Sequence, residues 1–208
     1  MAAEGNANLA DANALPVEGA SQDDLIYVGF WLRLAAYAID IAIVLPLALL
    51  TKNVIYISRS AYLADLIVGT LIAILFEVYL VKRFGGSPGK IILKIGIAKL
   101  DGSPVGYREA CIRYCVLFLF NLLTSAALLM SLFNMTDVEY GAFAAAKTSI
   151  RSLEASTPVW YGPLQLAGAI WVYSEFIVLL TNKKRRALHD FMAGTVVVRT
   201  RTEPGTGK

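Results

Sequence analysis

Four long apolar runs set the limits on what this chain can become: Val28–Leu50, Tyr62–Val81, Glu109–Phe133 and Trp160–Leu180. Each is close to the ~20 residues an α-helix needs to cross a hydrocarbon core of ~30 Å. The runs are continuous rather than alternating, which argues against spanning strands. Of the 208 residues 57% are hydrophobic and only 17% charged, and the apolar excess is concentrated in these runs. A soluble domain carries about a quarter charged residues. The expected fold is therefore an all-α membrane protein, a four-helix transmembrane bundle. Pro46 falls inside the first run and is read as a kink, because neighbouring groups in a bundle can satisfy the carbonyl it frees.

The segment 1–27 contains no Lys or Arg and five acidic residues, and it is rich in Ala, Asn and Asp. It lacks the basic start and apolar core of a cleavable signal and reads as a disordered acidic tail. Residues 28–200 form the membrane domain, and 201–208 a second short tail. Short loops that stay in the cytoplasm retain Lys and Arg. The two tails and the second loop carry thirteen of them, against four in the first and third loops. Both termini are therefore expected in the cytoplasm, with the basic segments against anionic inner-leaflet lipids. The same segments account for the net charge of +3 without a nucleic-acid partner.

GGSPGK at Gly85–Lys90 falls short of a phosphate-binding loop, because three residues rather than four separate Gly85 from Gly89-Lys90, and Ile91 follows instead of Ser or Thr. Ile91–Leu100, ended by Asp101-Gly102, and Thr195–Arg199 read as short strands that pair into a small cytoplasmic β element. Cys111 and Cys115 share a helical face, but four metal ligands do not assemble around them, and neither a metal nor a cofactor is expected.

Three stretches resemble the RDD family of membrane proteins: GFWLRLAAYAID at Gly29–Asp40, GGSPGKIILKIGIAKLDG at Gly85–Gly102, and RRALHDFMAGTVVV at Arg185–Val198. On that resemblance Arg33 is the family arginine, Asp40 its first aspartate and Asp190 its second. The resemblance implies a bacterial multipass protein of the inner cell membrane, of a kind often linked to transport. The third loop, Asn134–Val159, has no counterpart in the family pattern.

Charged residues interrupt the runs at matching depths. Arg33, Glu77, Arg113 and Glu175 lie four or five residues inside the cytoplasmic ends of their runs, roughly 6–8 Å deep at ~1.5 Å per residue. They form a charged cytoplasmic layer, read either as two Arg–Glu pairs that tie the bundle together or as the lining of a gate. Asp40 is twelve residues in, near ~18 Å, in a layer with Asn121, Thr70, Gly69 and Gly168. It is read either as a packing residue or, with Asn121 and Thr70, as a cation or proton site, since oxygen ligands suit a hard cation. His189-Asp190 has no accompanying nucleophile, and Asp190 is expected to bond backbone amides or a basic side chain.

Two functions follow as expectations. One is a transporter or cation/proton exchanger with Asp40 as coupling carboxylate. Four helices are few for alternating access, so a homo-oligomer would be expected. The other is a non-catalytic scaffold or assembly factor that docks a partner through its basic segments. An enzyme is not expected, because HExxH, GxSxG and paired Asp/His clusters are missing from the sequence.

Overall fold

The computed structural model describes residues 25–147, 153 and 156–200. Most of the expected acidic tail, the C-terminal tail and part of the third loop lie outside these residues. Four helical stretches are long and apolar enough to cross a membrane. The first is α1 (Phe30–Thr51), which contains Pro46. The second begins with α2 (Arg59–Ile74), where Ser58 accepts the Ala61 N–H as an N-cap at 3.0 Å. It continues through a π segment, Leu75–Tyr79, into α3 (Leu80–Phe84), and stops at Gly85, whose φ of 74° only glycine adopts readily. The other two are α5 (Tyr107–Asn134) and α7 (Tyr161–Thr181).

After Gly85 the chain turns back into α4 (Pro88–Ile92), with Pro88 in the first turn, where its missing N–H costs nothing. The expected strand from Ile91 therefore starts later, as β1 (Ile95–Lys99). Ser87-Pro88 starts a helical turn that holds Ile91 and Ile92, and Lys94 leaves it at φ 53°. β1 pairs antiparallel with β2 (Thr195–Arg199), Ile95 opposite Arg199 and Lys99 opposite Thr195. Two backbone bonds add residues 26–28 to β2: Val28 N–H donates to Val197 at 3.0 Å, and Arg199 N–H to Ile26 at 3.1 Å. Ile26 and Tyr27, assigned to the tail by composition, thus pair alongside β2. The pairing satisfies backbone groups that β2 would otherwise leave open.

The main core lies where the sheet meets the helix ends. Val28, Ala36, Val81, Ile95, Ile97, Val105, Ala110 and Val197 pack there. At the opposite end, Val54–Tyr56 and α6 (Asp137–Ala146) build a smaller cluster of Ile55, Tyr62, Leu132, Phe143 and Leu153. Arg59 locks that end by donating to the carbonyls of Leu132 (2.8 Å), Met135 (2.7 Å) and Thr136 (3.1 Å). These include carbonyls that the last turn of α5 cannot satisfy itself. Between the two ends the helices turn large apolar side chains outward, among them Leu45, Leu50, Leu71 and Ile177. In water such a surface would be unstable; in lipid it is the expected one.

Candidate functional site

Asp190 is the centre of the sheet end. It is the third residue of α8 (Leu188–Ala193), so its carboxylate reaches back to the free N–H of Ala187 at 2.9 Å. Arg33 Nη1 meets the same oxygen at 2.7 Å, and Arg113 Nη1 meets the other. Arg113 also donates to the Thr195 hydroxyl at 2.5 Å, and Arg33 to the carbonyl of Arg185 at 2.5 Å. Arg186 holds the backbone of this turn by donating to the carbonyls of Thr195 at 3.0 Å and Asp190 at 2.8 Å. One carboxylate thereby ties α1, α5, α8 and the start of β2 together.

Asp190 is completely buried. Burial pushes its carboxyl upward, but Arg113, His189 and Arg33 together outweigh burial and hold it well below the usual carboxylate range. A charge chain continues from Arg113, whose second nitrogen lies 2.9 Å from His189 Nε2. A guanidinium only donates, so Nε2 accepts and the ring proton sits on Nδ1. Nδ1 in turn faces Glu175 at 2.7 Å. His189 therefore links Arg113 to Glu175, while Asp190 meets both arginines directly.

The structure thus gathers Arg33, Arg113 and Glu175 in one place but replaces the expected Arg–Glu pairs. Both arginines bond Asp190, and Glu175 bonds His189. Depth counting along the four runs could not include α8, which returns beneath the helix ends and brings its own carboxylate between the arginines. Glu77 is exposed on the π segment and makes no ion pair among the described residues.

Asp40 also leaves its expected layer. One of its oxygens accepts the Ser87 hydroxyl at 2.5 Å and the other the Gly89 N–H at 2.7 Å. It caps the first turn of α4 from α1, a role that needs a short acidic side chain beside free N–H groups. Gly89 is obligatory at that contact, since a Cβ would collide with the Ala36 carbonyl. Thr70 and Asn121 lie elsewhere. Each donates to the carbonyl four residues earlier on its own helix, Leu66 and Leu117, and both line a cavity that Asp40 does not reach. Gly69 lines that cavity too, whereas Gly168 packs near Phe120.

The cavity, about 610 Å³, lies between α1, α2 and α5. It runs from Thr51 and Leu63 at the α6 end to Tyr114, the residue after Arg113. α1 packs mainly on α4 and α7 and makes little contact with α2, which leaves this space open. Among its lining residues Asp65 alone is charged. Sequence reading passed over Asp65 because it sits near the edge of the apolar run. The helix begins at Arg59, six residues earlier, and carries Asp65 inside the span. The sequence reading also missed Ser87, although Ser-Pro is a helix-start signal, and nothing in the sequence marked its partner on α1.

Comparison with curated proteins and with solved structures gave no significant match. The RDD family profile, in contrast, aligns with residues 27–194, which contain the Arg33–Asp190 bridge, the Asp40 cap and the four membrane helices. This protein is a member of the RDD family of integral membrane proteins.

Proposed function

We propose that this protein is a non-enzymatic membrane transporter in which a solute moves along the groove between α1, α2 and α5. The Asp190 cluster then closes the groove at its inner end. The carrying observation is the groove's reach, from Thr51 near one end of the helices to Tyr114 beside Arg113. Ion-paired side chains with two arrangements are the kind of element that can gate such a path. Asp40 holds α4 against α1 in this scheme and is not the coupling carboxylate, because both its oxygens are engaged.

The Lys/Arg distribution supports a cell-membrane orientation with the sheet end and both termini in the cytoplasm, against anionic lipids. Assembly of several copies belongs to this reading, since four helices alone form a small pathway. A scaffold role is the second reading. It draws on the complete satisfaction of buried side-chain polar atoms among the described residues, as a static bundle requires.

The two readings separate in proteoliposomes under an imposed cation or proton gradient. Wild-type vesicles should dissipate it faster than protein-free ones, and His189→Ala, which breaks the link from Arg113 to Glu175, should change the rate severalfold. Gradients held equally well with and without folded protein would reject transport and leave the scaffold.

A further inference from the structure

The groove has a chemistry of its own, set by one uncompensated carboxylate in apolar surroundings. Asp65 lies in the second turn of α2 and lines the cavity with Leu47, Leu66, Tyr114 and Phe118. Among the described residues it makes no hydrogen bond and no ion pair. The nearest cation along the helix, Arg59, is taken up by three carbonyls at the end of α5 and by Asp137 at 2.8 Å. Arg59 therefore does not neutralise Asp65. An ionisable group within a membrane span that faces a cavity rather than a partner is costly, and such groups mark ligand pathways.

We propose that the groove binds a lipophilic organic monocation, with Asp65 as its counter-charge. Each part of the ligand answers a feature of the site. The volume of about 610 Å³ fits a molecule of drug size. The mostly apolar wall requires an apolar body, and the carboxylate of Asp65 favours a positive charge over an anion. Single-carboxylate recognition selects one positive charge, because a dication would bring an unpaired charge into an apolar site. The weak contact between α1 and α2 opens the groove sideways, toward the lipid in which such a cation dissolves.

The assignment rests on the groove as the ligand path, and binding is measured separately from flux. Tetraphenylphosphonium is the probe, in equilibrium dialysis against the full chain in phosphatidylcholine nanodiscs, with empty nanodiscs subtracted. Wild type should bind saturably, one probe per chain. Asp65→Asn should weaken binding tenfold or more, and Asp65→Glu should restore it to within about threefold, about 0.7 kcal/mol at 1.4 kcal/mol per decade. Gly69 has open space where its Cβ would stand, so Gly69→Phe should fill the groove and block binding without unfolding the chain. Absence of saturable binding, or equal affinity in wild type and Asp65→Asn, overturns the proposal. Binding without any flux keeps this site and rejects transport; flux of small cations without probe binding does the reverse.

Discussion

Asp190 shows how a single side chain comes to hold three segments that are distant in sequence. Its position near the start of α8 points the carboxylate at a free backbone N–H, and its two remaining directions are taken by Arg33 and Arg113. Removing it would strand two arginines that are largely shielded from water, so Asp190→Ala should cost about 3–5 kcal/mol, the usual range for breaking a buried pair. Chemical unfolding in detergent would measure this. Reversal of Arg33 to Glu should not be rescued by Glu77→Arg or Glu175→Arg, because neither glutamate bonds Arg33. The pH dependence follows from the same geometry. Asp190 is held below its ordinary value of 3.8 in the folded protein, so acid protonates the unfolded chain first. Its contribution is therefore complete above about pH 5 and declines as pH falls below ~4. Thermal unfolding of wild type should lose stability in that acid range, and Asp190→Asn should flatten this part of the profile. An unchanged acid slope in Asp190→Asn would remove Asp190 from the cause.

At the level of elements, α4 is the least self-sufficient piece of the fold. Five residues cannot sustain a helix alone, given the cost of nucleation. It persists because Asp40 accepts from Ser87 and Gly89, and because Gly89 lets its backbone press against Ala36. Asp40→Ala should therefore destabilise by about 1–2 kcal/mol, the scale of a lost N-cap. Gly89→Ala should do more harm, since the new methyl meets the rigid carbonyl of Ala36 rather than a movable side chain. Melting temperatures of the two purified variants would order them. A Gly89→Ala protein as stable as wild type would mean that α4 does not sit on α1 as described.

For the molecule as a whole, the two ends differ in construction. The sheet end is held by ion pairs and an apolar core, the α6 end by the Arg59 carbonyl contacts and the cluster around Leu132. The Lys/Arg bias predicts that the sheet end faces the cytoplasm. Single cysteines in a chain whose Cys111 and Cys115 are replaced by serine would check this. Gly141→Cys, at an open site on α6, should react with a membrane-impermeant maleimide in intact cells. Arg108→Cys, exposed at the start of α5, should react only after the membrane is broken. The opposite pattern would invert the orientation.

Much of this architecture was legible in the amino-acid order. Runs such as Val28–Leu50 announce membrane helices, because a backbone in lipid must satisfy its own hydrogen bonds and can do so only over a sufficient apolar length. Thr195–Arg199, with its β-branched residues, likewise forms the strand expected of it. Partner choice was not legible. Depth counting put Arg33 level with Glu77 and Asp40 level with Thr70, yet depth leaves the rotation of each helix undetermined. Rotation, together with the return of α4 and α8 beneath the bundle, decided that Arg33 meets Asp190, that Asp40 caps α4, and that Asp65 faces an open groove. The hydrophobic effect is non-directional and sets which segments enter the membrane; the short-range, directional contacts that decide which charges meet exist only once the helices are packed.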